Sequence, residues 1–159
     1  MARKAARDAA MRYVYQWALG GNADPEAFLS SLDLKLSEKD YLFFEETVIG
    51  VVNHLPELDK LIEENCVGWK FDRLAKVDVA ILRVALLEIL YREDIPEGVS
   101  INEAVELAKV YGDGNSYAFV NGILGNVVRR EGEALRRVEP VVTDLPRPEE
   151  IMAADDVHE

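Results

Sequence analysis

Cysteine is almost absent from this chain. Cys66 stands alone among 159 residues, which excludes a disulfide framework within the chain and leaves no second thiolate for a zinc site. Histidine is nearly as scarce. His54 and His158 lie far apart, and no His, Cys or carboxylate spacing has the pattern of a metal ligand set. No apolar run approaches the roughly 18 residues of a membrane span, and no signal-peptide core follows the N-terminal charges. The expected location is the cytoplasm, with no membrane partner. Positive charge is also in short supply: 18 Lys and Arg stand against 30 Asp and Glu, for a net charge of -12. So acidic a surface repels nucleic acid in general, so any RNA or DNA must be met at one place.

Catalytic patterns are missing too. The glycines of "YGDGNS" join two helical segments rather than following a strand, and the lysine of a phosphate loop is absent. No serine sits in a nucleophile elbow. Cys66 follows Glu63 and Glu64, which would raise its pKa rather than activate it. Nothing supports an enzyme, a metal or a cofactor.

What is present is helical periodicity. Ala6, Ala9, Ala10, Tyr13, Val14 and Trp17 recur at helical spacing over about Arg3 to Leu19, and "GGN" stops that segment. Asp24 before Pro25 predicts an N-cap with proline at the first helical position. Ser37 with Asp40 is a near capping box, and another helix starts at Pro56. From Val77 to Tyr91, "VDVAILRVALLEILY" is apolar almost all round, interrupted by Asp78, Arg83 and Glu88. Such a helix belongs at the centre of a bundle; its β-branched content also admits a buried strand, for which it is long. Ser100 and Glu103 read as a full capping box opening the next helix, and "SYAFVNGILGNVVRR" begins the last. The expected fold is all-α, a compact bundle of six to seven helices over residues 1–133. Residues 134–159 read as an acidic, disordered tail.

The first helix is out of character. Residues 1–12 carry Arg3, Lys4, Arg7 and Arg12 against only Asp8. Asp8 and Arg12 form a favourable i,i+4 pair, and a solvated face is one reading of the rest. However, Arg3, Lys4 and Arg7 lie in the first two turns, where positive charge opposes the helix dipole. Arg3 and Arg7 share a face, with Lys4 alongside. A cationic ridge on an anionic molecule suits a polyanion held locally.

Four segments, "RKAARDAAMRYVYQW", "LAKVDVAILRVALLEIL", "IPEGVSINEAVELAKVYG" and "SYAFVNGILGNVVR", then resemble the NusB family of bacterial transcription antitermination proteins. The resemblance runs in order over about residues 3–130, and "INEAVELAK" followed by "FVNGIL" is its most specific part. It implies an all-helical RNA-binding protein without catalytic activity or cofactor. Such a protein pairs with the small-subunit ribosomal protein NusE and binds the single-stranded boxA element of nascent ribosomal RNA transcripts. With other Nus factors on RNA polymerase the pair suppresses termination. Some members self-associate, which makes a homodimer a further implied partner.

The same resemblance implies roles for residues. Arg3, Lys4 and Arg7 match the basic N-terminal segment that contacts RNA, although Ala5 and Ala6 interrupt its usual run. Arg83, Phe119 and Asn121 match motifs beside the RNA, and Tyr15, Leu19 and Asp78 match positions facing the ribosomal protein. Read from chemistry alone, these residues keep alternatives. Arg83 must reach the surface, pair with a carboxylate, or both. Asn121 suits phosphate or base contact or a helix–helix hydrogen bond. Phe119 suits base stacking or core packing. Tyr15 and Leu19, one turn apart, suit a partner-facing stripe or ordinary packing. Asp78 suits a basic partner or its own helix start. Two other functions stay open: a helical scaffold that binds no RNA, and the RNA-binding part of a ribosomal RNA cytosine methyltransferase.

Overall fold

The computed structural model describes residues 2–66 and 70–131. Among them are seven α-helices: α1 (Ala2–Ala18), α2 (Pro25–Ser31), α3 (Glu38–Asn53), α4 (Leu55–Glu64), α5 (Lys76–Tyr91), α6 (Glu97–Tyr111) and α7 (Ser116–Glu131), with a 3-10 turn at Phe71–Arg73. No strand occurs among the described residues, and the expected all-α bundle is what is observed. The tail expected at 134–159, and the boundary before it, lie outside the described residues.

The apolar segment forms the axis. Every residue of α5 from Asp78 to Tyr91 is buried, because α1, α3, α4, α6 and α7 all pack against it. Helix geometry resolves the strand alternative: a strand has two faces, whereas this segment meets neighbours around its whole circumference. Ala6, Ala9 and Ala10 give α1 a smooth inner face against α3 and α5. Tyr13 then locks three helices. Its ring sits edge-on to Phe28 at 5.2 Å and Phe44 at 6.1 Å, and its hydroxyl donates to the Ala23 carbonyl at 2.7 Å.

Local signals act largely as read. Asp24 accepts from the Ala27 N–H and Ser37 from the Asp40 N–H, capping α2 and α3. The capping box at Ser100 does not form. Helix α6 begins a turn earlier, at Glu97 after Pro96, and Ser100 lies buried with its hydroxyl donating to Glu88 at 3.0 Å. A buried carboxylate needs donors more than an exposed helix end does, since water satisfies the latter.

Apart from Lys76 at its exposed start, the charged residues of α5 (Asp78, Arg83 and Glu88) are buried, and they differ in how they are satisfied. Glu88 receives a two-pronged contact from Arg7 of α1, Nε at 2.7 Å and Nη2 at 3.0 Å, besides the Ser100 hydroxyl. Arg83 grips Asp59 of α4 in the same way, at 2.8 and 2.9 Å. Asp78 keeps one carboxylate oxygen buried and without a hydrogen bond.

Arg7 is 5% exposed, so removing its side chain strands the Glu88 carboxylate in the core. Arg7→Ala is expected to cost about 3–5 kcal/mol of stability, read as a large fall in the urea midpoint. Lys4→Ala, whose pair is exposed, is expected to stay within about 1 kcal/mol.

Candidate nucleic-acid and protein interfaces

The basic start of α1 is not a row of free cations. Arg3 lies 3.6 Å from Asp94, and Lys4 lies 3.6 Å from Glu103. Arg7 is buried against Glu88 and approaches Glu103 at 3.8 Å. The sequence placed Arg7 on an exposed ridge with Arg3 and Lys4; the structure turns it inward, because its neighbours Ala6, Ala10 and Met11 face the core and Glu88 waits there. Arg3 and Lys4 remain at the surface, the Lys4 side chain 60% exposed. Asp94 and Glu103 also supply the negative charge that the first turn of α1 lacks. Arg3, Arg7 and Arg92 lie 4.6, 5.5 and 4.8 Å from the Phe43 ring centroid, within cation–π reach. Between α1 and the start of α6 runs a groove of about 330 Å³, with Ile95, Pro96 and Val99 along it and Arg3, Lys4, Asp94 and Glu103 around it.

The other residues singled out from the sequence fall elsewhere. Arg83, only 8% exposed, meets Asp59 with its whole fork. It therefore takes the ion-pair alternative, joining α4 to α5. Asn121 is exposed on α7. Phe119 is partly buried against the core and lines a cavity of about 280 Å³ with Arg73, Leu74, Asp78, Asn115 and Ser116. Phe119 and Asp78, read from the sequence as belonging to different faces, thus share one depression.

Asp78 is 6% exposed. Burial pushes its carboxyl above the ordinary aspartate range and the Asp113 charge adds to this, while the Ser116 hydroxyl pulls the other way. Next to it on α5, Val77 lines a second depression of about 360 Å³ with Met11, Arg12, Tyr15, Gln16 and Tyr111. Tyr15 is half-buried there, and Leu19 is 56% exposed at the end of α1. Tyr111 closes the edge, its hydroxyl 2.9 and 3.0 Å from the two Asp8 carboxylate oxygens. Its role was not legible in the sequence, although its position in the conspicuous "KVYG" before the turn was the available signal.

No group of three or more His, Cys, Asp or Glu able to hold a metal occurs among the described residues. The Cys66 thiol is pushed up, first by burial and then by Glu63. No helix among the described residues is long and apolar enough to cross a membrane.

With this geometry in hand, comparison with known proteins is decisive. Residues 4–129 match the NusB family. The chain belongs to the NusB family. It is 46% identical over 127 residues to the transcription antitermination protein NusB of Bacillus subtilis, covering 80% of this chain and 95% of that protein. It is 39% identical over 135 residues to the NusB of Finegoldia magna, covering 84% and 98%. NusB of T. maritima superposes with a TM-score of 0.73 at 33% identity, covering 82% of this chain and 92% of that one. A chain of a crystal structure of the antitermination factors NusB and NusE in complex with double-stranded RNA superposes at 0.71 and 28% identity, covering 80% and 96%. These NusB relatives are named for a role in transcription and not for a reaction.

Because the folded state raises the Asp78 pKa, its ionised form costs stability once pH rises through the folded pKa, and the cost vanishes on acidification. Asp78→Asn is therefore expected to melt above the wild type at pH 7, with the gap closing towards about pH 4. Thermal melts across that range check the sign.

Proposed function

We propose that this NusB-family chain is a cytoplasmic transcription antitermination factor. Together with the ribosomal protein NusE it binds the boxA element of nascent ribosomal RNA transcripts, and the pair joins other Nus factors on RNA polymerase to suppress termination. The observation that carries this reading is the likeness to NusB solved with NusE and double-stranded RNA, spread over 80% of the chain.

The geometry supports a division of labour. Arg3 and Lys4, at the rim of the groove beside α6, hold RNA phosphates. Asn121, exposed on α7, takes a further polar contact, and Phe119 contributes its accessible edge. Arg7 and Arg83 act from behind: each is bound by a carboxylate of another helix, so each positions a helix beside the RNA. Tyr15, Leu19 and Asp78 face NusE. Asp78 suits that role because its buried oxygen lacks a donor, which an N–H of a basic partner can supply.

A second reading is favoured by a specific observation. Arg3 and Lys4 each already have a carboxylate at 3.6 Å, as expected of a helical scaffold with no RNA role. Fluorescence anisotropy of a labelled boxA-like RNA, with and without NusE and across a salt series, separates the two. With two phosphate-facing cations the protein alone is expected to bind weakly. Its log–log salt slope should be only about -1 to -2. NusE should tighten boxA-like RNA more than a scrambled control. Binding of NusE with no RNA binding at any salt would establish the scaffold instead.

A further inference from the structure

The pairing of Arg3 with Asp94 and of Lys4 with Glu103 has a consequence for affinity. Asp94 stands in the short connection between α5 and α6, and Glu103 stands on the second turn of α6. Both reach across the groove to cations on α1. Their positions are what electrostatics would choose for an RNA phosphate approaching the same cations: anionic oxygens at the cationic rim, in a channel open to solvent. Their structural work is modest: both offset the dipole at the start of α1, and Glu103 adds a 3.8 Å approach to Arg7, whose carboxylate partner is already Glu88. Arg7 and Glu88 already tie α1 to α5 in the core, and Tyr13 ties α1 to α2 and α3. Surface pairs such as Arg3–Asp94, and Lys4–Glu103 with its carboxylate partly buried, add little to stability.

Resting on the RNA-binding reading of Arg3 and Lys4, we infer that Asp94 and Glu103 are built-in competitors for the RNA phosphates. A phosphate must displace a carboxylate that is tethered beside the cation and so always present at high effective concentration. The carboxylates thereby hold down the sequence-independent part of the affinity. Binding by the protein alone stays weak, and the contribution of a second protein becomes necessary for RNA to be retained. The control is electrostatic and acts on any RNA, so it changes the threshold for binding and leaves base preference alone.

The test uses the full chain and two labelled RNAs, boxA-like and scrambled, in anisotropy titrations at low and high salt. Asp94→Asn with Glu103→Gln is expected to tighten both RNAs by the same factor, about threefold to tenfold at low salt, with the gain fading at high salt. Glu106→Gln is the control, because Glu106 is an exposed carboxylate on the same helix that pairs with Lys109 instead. It should leave affinity nearly unchanged. With NusE present, Asp94→Asn should lose its effect in an Arg3→Ala background, since the cation it competes for is gone. Equal gains from Glu106→Gln would show a general field effect and overturn the inference. Weaker binding in the double variant would mean that the carboxylates contact RNA donors themselves, which overturns it as well. If the wild type binds RNA, and Arg3→Ala with Lys4→Ala weakens it, the functional reading stands whatever the acidic variants do. If neither the wild type nor any variant binds RNA, that reading fails and the inference falls with it.

Discussion

A buried arginine–carboxylate contact between the first helix and the central one organises this molecule. Arg7 and Glu88 are 81 residues apart in sequence and 2.7 Å apart at their nearest atoms. Two desolvated charges are costly unless every oxygen and N–H has a partner. The Ser100 hydroxyl provides one more donor, so α1, α5 and α6 meet at a single carboxylate. That meeting point fixes where the N-terminal turn of α1 lies. It also fixes which side chains flank it: Arg3 and Lys4 one turn before Arg7, and Asp94 and Glu103 from the neighbouring segments. Were Arg7 free, α1 could slide on its alanine face, because small side chains offer few steric stops.

The three buried charges of α5, Asp78, Arg83 and Glu88, are met differently by the rest of the fold. Glu88 and Arg83 are answered from within the fold, on opposite flanks, by α1 and α4. Asp78 is answered only in part, and it lies where α5 begins, beside two depressions that also hold Tyr15 and Phe119. An unsatisfied buried oxygen is unfavourable in the isolated protein and favourable as soon as a donor arrives. The asymmetry separates Glu88 and Arg83, which are paired across the fold, from Asp78, which is not fully paired.

Most of the fold was legible because helical periodicity and capping are local. The run from Val77 to Tyr91 announced a central helix by lacking a polar face, and Asp24 and Ser37 marked helix starts within a residue. Long-range pairing is where sequence reading failed. Periodicity placed Arg7 on the same face as Arg3, but nothing near it named Glu88 as the residue that would draw it inward. For the same reason Ser100 read as a cap, when the carboxylate it serves sits on the preceding helix. Arg83 was narrowed to surface or ion pair by the cost of burial alone, and only the third dimension supplied Asp59. The carboxylates that meet the cations of α1, Asp94 and Glu103, carried no signal of that placement, because a carboxylate beside "IPEG" or inside "INEA" has no local reason to meet α1.

Charge placement then connects the acidity of the whole chain to its single basic helix. A protein of net charge -12 can approach RNA only where cations locally outweigh that field, and the number of such cations sets how much counterion release is available. With Arg7 withdrawn into the core, Arg3 and Lys4 are left at the rim, each facing a carboxylate. On the proposed reading, two compensated cations hold RNA only weakly at physiological salt, whereas a basic partner docked beside them would extend the positive track and be drawn in by the same acidic surface. On that same reading, the negative charge that weakens the protein as a lone RNA binder would strengthen it as half of a pair, with Asp78 on one side of the bundle and Asp94 and Glu103 on another setting the balance.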